Sequence, residues 1–309
     1  MARRRRGNPV DGWVVLDKPL GLGSTQAVGK VRWAFGARKA GHAGTLDPLA
    51  TGVLAIALGE ATKAVPLVQE GAKTYRFTVR LGQATETDDA EGAVTAESPD
   101  RPDDAAIAAA LEAFEGDILQ VPPRFSAVKV AGARAYDLAR AARAGGPAAH
   151  LDLAPRPLHV ASIRLVSRPD RDLAEIEMTC GKGGYVRSVA RDLGAALGCF
   201  GHVVALRRLK AGPFGLEDAI SFERLEEIRH TGAFDDTLLP VSTGLDDIPA
   251  VAVDQAAAAR LRQGQAVPVT RSDLPYGSTA WARLGDAPVA VGQVRGGALH
   301  PHRVFNLDN

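Results

Sequence analysis

The chain has 309 residues, 46% apolar and 24% charged, with a formal net charge of +1. That length suits about two domains of roughly 150 residues, and that composition excludes disordered and fibrous classes. The longest apolar run, Leu49 to Gly59, is far short of the ~18 residues that span a bilayer. Behind the basic Arg3–Arg6 cluster, Gly12–Leu16 is too short for a secretory signal. Cys180 and Cys199 cannot build a disulfide framework, so a reducing cytoplasm is expected. Charge is unevenly spread: Glu86–Asp104 carries eight acidic residues against one basic, whereas Gln120–Gly215 carries 15 Lys/Arg against 7 Asp/Glu. A basic face turned toward a polyanion fits that asymmetry, and so does an ordinary solvated surface.

In chain order, Gly12–Leu16 reads as a short buried strand ending at the turn Asp17-Lys18-Pro19. Ser24 or Thr25 is placed to cap a helix running to about Trp33. Gly36–Gly44 is too glycine-rich and basic for a packed element and reads as a loop. Asp47-Pro48 before the apolar Leu49–Leu58 reads as a helix start, the carboxylate serving orphan N–H groups and the proline presetting φ. Tyr75–Leu81 alternates strictly and predicts a half-buried strand. Glu86–Asp104 reads as a loop with a short strand near Val94, and Asp103–Phe114 as an alanine-rich helix. The spacing then predicts a strand at Ser126–Val130, a helix at Arg134–Arg143, strands at Val160–Val166 and Ala174–Cys180, a helix at Tyr185–Leu197 and a basic strand at His202–Lys210. Past a composition shift at Pro240–Pro249 come one helix, near Asp254–Arg262, and four short strands, at Gln265–Val269, Ala280–Leu284, Val289–Val294 and Leu299–Val304. Strands and helices mix without βαβ alternation, so the main domain is α+β.

Several familiar chemistries are absent. Cys180, Cys199 and His202 lack a paired spacing and a fourth ligand for zinc. Gly181-Lys-Gly-Gly184 is no phosphate loop, Gly21-Leu-Gly23 lacks the third glycine of a dinucleotide site, and no Gly-x-Ser-x-Gly elbow occurs. Side-chain carboxylate or acid–base chemistry remains. The stretch Gly41–Gly52 sets Asp47 beside glycines whose backbone can approach a ligand closely, at a helix start that would favour its ionised form. On spacing alone, Asp47 reads first as a helix cap.

The segment Gly41-His42-Ala43-Gly44-Thr45-Leu46-Asp47-Pro48-Leu49-Ala50-Thr51-Gly52 resembles the signature of the TruB family of tRNA pseudouridine-55 synthases. Further stretches resemble that family in order, from about Val10 to Gly212: Asp17-Lys18-Pro19, Lys73–Arg76, Arg80–Gln83 with Thr85, Thr87 and Asp88-Asp89, Pro123 with Ser126-Ala127 and Lys129, Cys180–Arg187, and Gly201-His202 with Leu206-Arg207-Arg208. The resemblance implies a mixed, mainly antiparallel sheet flanked by helices, with a small β-rich, PUA-like C-terminal domain. Residues 1–9 would be a basic tail, 10–249 the catalytic domain and 250–309 the small RNA-binding domain.

It also implies a cofactor-free, metal-free isomerase that flips uridine 55 out of the tRNA T-loop and rejoins the base through C5. Asp47 would be the catalytic aspartate, acting as nucleophile on the nucleotide or initiating a 2′-deprotonation route. Arg187 would be its ion-pair partner, and Tyr75 the ring that packs on the target and a candidate for removing the C5 proton. His42 would fill the space that the flipped base leaves. Lys18, Arg124, Lys129, Arg207 and Arg208 would meet phosphates, and Tyr185 and Leu206 would line the substrate site. The T-arm of tRNA is the expected partner, with no membrane and no obligate protein partner. Gly184 stands where family members often carry Thr, which implies a more flexible loop before Tyr185. Two other readings compete: a non-catalytic tRNA-binding or folding protein on the same scaffold, and a nucleoside hydrolase or glycosidase, which needs a second nearby carboxylate.

Overall fold

The computed structural model describes residues 7–126, 129–130, 133–134, 153–232, 234, 236–270 and 273–307. The helix expected at Arg134–Arg143 lies outside the described residues, apart from Arg134, which closes a short strand. The chain divides into two compact units, residues 1–71 with 210–309, and residues 72–209.

In the first unit, Gly12–Lys18 and Ala50–Leu58 pair antiparallel, from Gly12 opposite Leu58 to Lys18 opposite Gly52. Ala50–Leu58 therefore replaces the helix expected after Asp47-Pro48. A continuous apolar run suits a strand buried on both faces as well as it suits a helix. Pairing on both edges decides the matter: Gly12–Lys18 takes one edge, Ala40–His42 pairs along Ala40↔Leu58 to His42↔Ile56, and every residue but Thr51 is buried. Ala40–His42 is accordingly a strand inside the stretch expected to be loop. The helix Ser24–Ala34 begins at Gly23, not at a Ser24 cap; the Gln26 side chain accepts from the Gly23 N–H at 3.1 Å.

Residues 250–304 of this unit add a five-stranded sheet in the order 250–252, 279–284, 287–295, 298–304, 267–268. Its helix, Gln255–Arg262, is capped by Asp254, which accepts from Ala257 N at 2.7 Å. Strand alternation gives the sheet two buried faces. Val251, Ala280, Ala282, Ala290 and Leu299 pack with Ala258 and Leu261 in one cluster. Trp281, Val291 and Phe305 join a different cluster, with Trp13, Val53, Phe214, Val241 and Leu245. Trp13 and Phe214 lie 5.0 Å apart there, and the Trp13 indole donates to Val241 O at 3.3 Å.

In the second unit the strands run in the order 201–211, 73–81, 173–180, 156–170, 116–120, the last four in antiparallel register; the final two residues of 201–211 belong to the first unit. Phe77, Val79 and Leu81 are buried as the alternation predicts, with Tyr75 half-buried at the strand's start. The helix Asp104–Glu112 packs on strand 156–170 and the helix Val186–Ala196 on strand 73–81. Chain segments distant in sequence thus build each unit, and cores of this kind are sensitive to truncation. Phe305→Ala is expected to cost about 3–5 kcal/mol while leaving one transition for Trp13 and Trp281. Urea denaturation followed by tryptophan fluorescence measures both.

Candidate active site

Asp47 lies between two tethered neighbours. On one side, Ser24 Oγ donates to Leu46 O at 2.7 Å and accepts from Leu46 N at 2.8 Å, so one hydroxyl clamps both backbone groups of Leu46. On the other, Pro48 O accepts from Gly21 N at 2.8 Å and from Lys18 Nζ at 3.4 Å. Lys18 is fully buried and also donates to Leu22 O at 2.7 Å and Pro19 O at 3.0 Å. Lys18 was expected at a phosphate; its ammonium instead sits inside the protein, tying the Pro19–Leu22 turn to the Asp47 loop. Upstream, Gly44 takes φ +143°, a region open to glycine, and its N–H donates to His42 Nδ1 at 3.4 Å. His42 is half-buried at the end of the Ala40–His42 strand. The strand after Asp47 removes the helix N-terminus that was expected to act on its carboxylate.

In the second unit, Arg187 opens the Val186–Ala196 helix and is buried. Its Nη2 donates to Phe125 O at 2.8 Å, its Nη1 to Thr87 O at 3.2 Å, and its Nε lies 3.6 Å from Asp89 Oδ2. Asp89 accepts in turn from Thr87 Oγ1 at 2.5 Å and Glu91 N at 3.0 Å. One helical turn on, Arg191 reaches Asp88 at 3.3 Å. Asp88 takes φ +60°, which Asp tolerates; burial lifts its carboxyl above the usual range, and Arg191 and Arg187 oppose that. The acidic Asp88-Asp89 turn thus receives two arginines of one helix face. The chain before this helix is fixed as well: Tyr185 N donates to Gln120 Oε1 at 2.8 Å, and Gln120 Nε2 to Tyr185 O at 3.1 Å. Gln120 and the placement of the Asp89 carboxylate escaped the sequence reading, since nothing local marks a clamp 65 residues away.

Gly184 sits against Cys180. A Cβ there would come within 2.6 Å of Cys180 Sγ, so the glycine allows close packing. Tyr75, opposite Met178, and Leu206 are half-buried, as is Arg207, while Arg124 is exposed. Arg208 is buried, with 1% of its surface exposed, which corrects its expected place at a phosphate. Lys129 is in a two-residue strand, Lys129–Val130, and its side chain lies outside what the structure describes.

Residues 32–186 match the model of the TruB family pseudouridylate synthase N-terminal domain, and residues 187–246 that of the tRNA pseudouridylate synthase B C-terminal domain. The chain belongs to the TruB family. A tRNA pseudouridine synthase B of Dinoroseobacter shibae is 59% identical, covering 99% of this chain and 98% of that protein. One of Cereibacter sphaeroides is 57% identical over 99% and 100%. Among solved structures, a Cbf5–Nop10–Gar1 complex matches with TM-score 0.73 and 25% identity, over 96% of this chain and 84% of that one. An H/ACA RNP bound to a substrate RNA containing 2'-deoxyuridine matches in fold, with TM-score 0.74, 24% identity, and 99% and 92% covered. TruB-family pseudouridylate synthases are isomerases, so the chain is an enzyme of that class and its mixed fold is theirs. The junction between the two TruB models falls within the Val186–Ala196 helix, so it marks no structural boundary.

Arg187→Ala is expected to destabilise the fold by about 3–5 kcal/mol, because a buried Asp89 loses its cation; chemical denaturation gives the value. Burial pushes the Cys180 thiol up to about 11. The folded protein therefore keeps a proton that the unfolded chain gives up near pH 9, so stability holds below pH 9 and falls as pH rises toward 11. Denaturation midpoints across that range should show this fall, reduced in Cys180→Ala.

Proposed function

We propose that the chain isomerises uridine 55 in the T-loop of tRNA to pseudouridine, with Asp47 as the catalytic nucleophile. The observation that carries this reading is the Asp47 loop of a TruB-family chain, tethered on both sides by Ser24, Gly21 and Lys18. Nucleophilic chemistry needs a carboxylate held in one place relative to the sugar. Relatives carrying the name tRNA pseudouridine synthase B along nearly the whole chain support tRNA as substrate.

In this reading the uridine leaves its stack at a cost of a few kcal/mol, and His42 fills the gap. Asp47 attacks C1′ as the C1′–N1 bond breaks, the uracil turns, and C5 bonds to C1′ as the Asp47–C1′ bond breaks. The C5 hydrogen then leaves as a proton, with Tyr75 packed on the ring as its acceptor, and N1 ends protonated. Arg187, held by Thr87, Phe125 and Asp89, is in this reading the cation that pairs with Asp47 and fixes its rotamer. Tyr185 and Leu206 line the site. Arg124, Arg207 and Lys129 meet RNA phosphates, which position the substrate without specifying it. Residues 10–249 carry the reaction and 250–309 form a small RNA-binding module. The enzyme works in the cytoplasm without a cofactor or an obligate protein partner. No helix among the described residues is long and apolar enough to cross a membrane.

Forming the new C–C bond expels the C5 hydrogen, so tritium release from a C5-labelled tRNA transcript reads the reaction directly. Wild-type protein is expected to release tritium and Asp47→Asn to release none while still binding RNA. Equal release by both removes Asp47 from the mechanism. Binding without release by either points to a tRNA-binding protein on the same scaffold.

A further inference from the structure

The helix that carries Arg187 starts at Val186, behind Tyr185, and its start lacks the usual local lock. In a capping box the N-cap hydroxyl takes the N–H three residues on, and a Glu or Gln there reaches back to the N-cap N–H. Here the N-cap residue is Tyr185, whose side chain makes no cap bond. Three residues on stands Ser188, and its hydroxyl donates to Val121 O at 2.8 Å.

Gln120 supplies the bond to the N-cap N–H from 65 residues away. Its Oε1 accepts from Tyr185 N at 2.8 Å and its Nε2 donates to Tyr185 O at 3.1 Å. One amide therefore holds both backbone groups of the residue on which the helix begins. Gln120 closes the strand Gly116–Gln120, paired with Arg156, and is 4% exposed. The amide is thus anchored in the sheet and shielded from water, two residues ahead of Arg187 in its grip on the helix.

Other ties join the same two segments. Val121 O accepts from Ser188 Oγ and from Arg191 Nη2 at 2.9 Å, and Phe125 O accepts from Arg187 Nη2 at 2.8 Å. Those bonds end on rotatable side chains of the helix, which can follow a small slide or turn of its backbone. Gln120 instead grips the backbone itself. Burying an amide costs free energy that its hydrogen bonds must offset, and an apolar residue of the same size would carry no such cost. A glutamine here answers a demand for geometry rather than for bulk.

We propose that Gln120 is the positioning residue of Arg187, fixing the helix start and with it the place and direction of the guanidinium. This inference rests on reading Arg187 as the cation that serves the reaction. It gives control of that cation to a residue outside the helix, on the strand that leads into Pro122-Pro123-Arg124.

The test uses full-length Gln120→Met, Ser188→Ala, Arg187→Lys and the double variant Gln120→Met with Arg187→Lys. Chemical denaturation first establishes that each is folded at the assay temperature. Tritium release from C5-labelled tRNA then gives kcat and KM. Gln120→Met is expected to lower kcat about tenfold to a hundredfold, the loss that a misplacement of about 1 Å produces, with KM little changed. Ser188→Ala, which removes a bond between the same segments, should keep kcat within about twofold of wild type. In the Arg187→Lys background, Gln120→Met should add less than about twofold, because a residue acting through Arg187 has nothing left to position. Gln120→Glu keeps an acceptor for Tyr185 N and loses the donor to Tyr185 O. It should show a smaller loss of the same kind, and it takes the place of Gln120→Met if that variant does not fold. Unchanged kcat in both Gln120 variants, or losses that multiply in the double variant, overturns the proposal.

A second readout does not depend on the reaction. In protein labelled with 15N-arginine, the Arg187 Nε–H signal, identified by its loss in Arg187→Lys, should exchange with water at least about tenfold faster in Gln120→Met than in wild type or Ser188→Ala. Equal exchange in all three overturns the positioning role. Faster exchange in Gln120→Met, when the wild-type protein releases no tritium, sinks the catalytic reading alone and leaves the positioning of Arg187 standing.

Discussion

The buried ammonium of Lys18 sets the terms for the Asp47 loop. Removing a charge from water costs several kcal/mol unless polar partners replace the solvent. Here the partners include the carbonyls of Pro19, Leu22 and Pro48, which belong to segments about thirty residues apart. Those segments cannot drift independently without stranding the charge. The Ser24 hydroxyl then fixes Leu46 through both of its backbone groups. A carboxylate on an irregular stretch of chain thereby acquires the positional definition normally supplied by a helix or strand.

Arg187 is placed by similar logic with opposite components. Its guanidinium is held by backbone carbonyls and by Asp89, on a turn that also receives Arg191. The planar fork of arginine can serve several acceptors at once, which a lysine could not reproduce. In both units the candidate site residues are held by backbone oxygens and a few buried side chains, so small local substitutions reach them.

Much of this was legible in the sequence. The period-two pattern of Tyr75–Leu81, the Tyr185–Leu197 helix and the strands after Pro249 follow from alternation, composition and turn residues, and the structure has them within a few positions. The run after Asp47 was misread because a strand covered on both faces lacks alternation, leaving Pro48 to suggest a helix. Lys18 and Arg208 were misread for a different reason: charge type predicts a surface, and only the fold shows which cations it encloses. The Ser24–Leu46 and Gln120–Tyr185 clamps join residues 22 and 65 positions apart. No local pattern carries such ties. The resemblance to the TruB motifs singled out Asp47, Tyr75 and Arg187 where spacing alone would have left Asp47 a cap.

The shared cluster of Trp13, Phe214, Trp281, Val291 and Phe305 has a consequence for synthesis of the chain. Ribosomes deliver the N-terminal strand early, but its packing partners at 281, 291 and 305 arrive only near the end of translation. Residues 72–209 have all their strands available long before that. The middle of the polypeptide can therefore fold while the unit bearing Asp47 still waits for its core. During that interval Trp13 and its apolar neighbours are open to solvent and to chaperones, and the unit that holds Asp47 reaches its final form last.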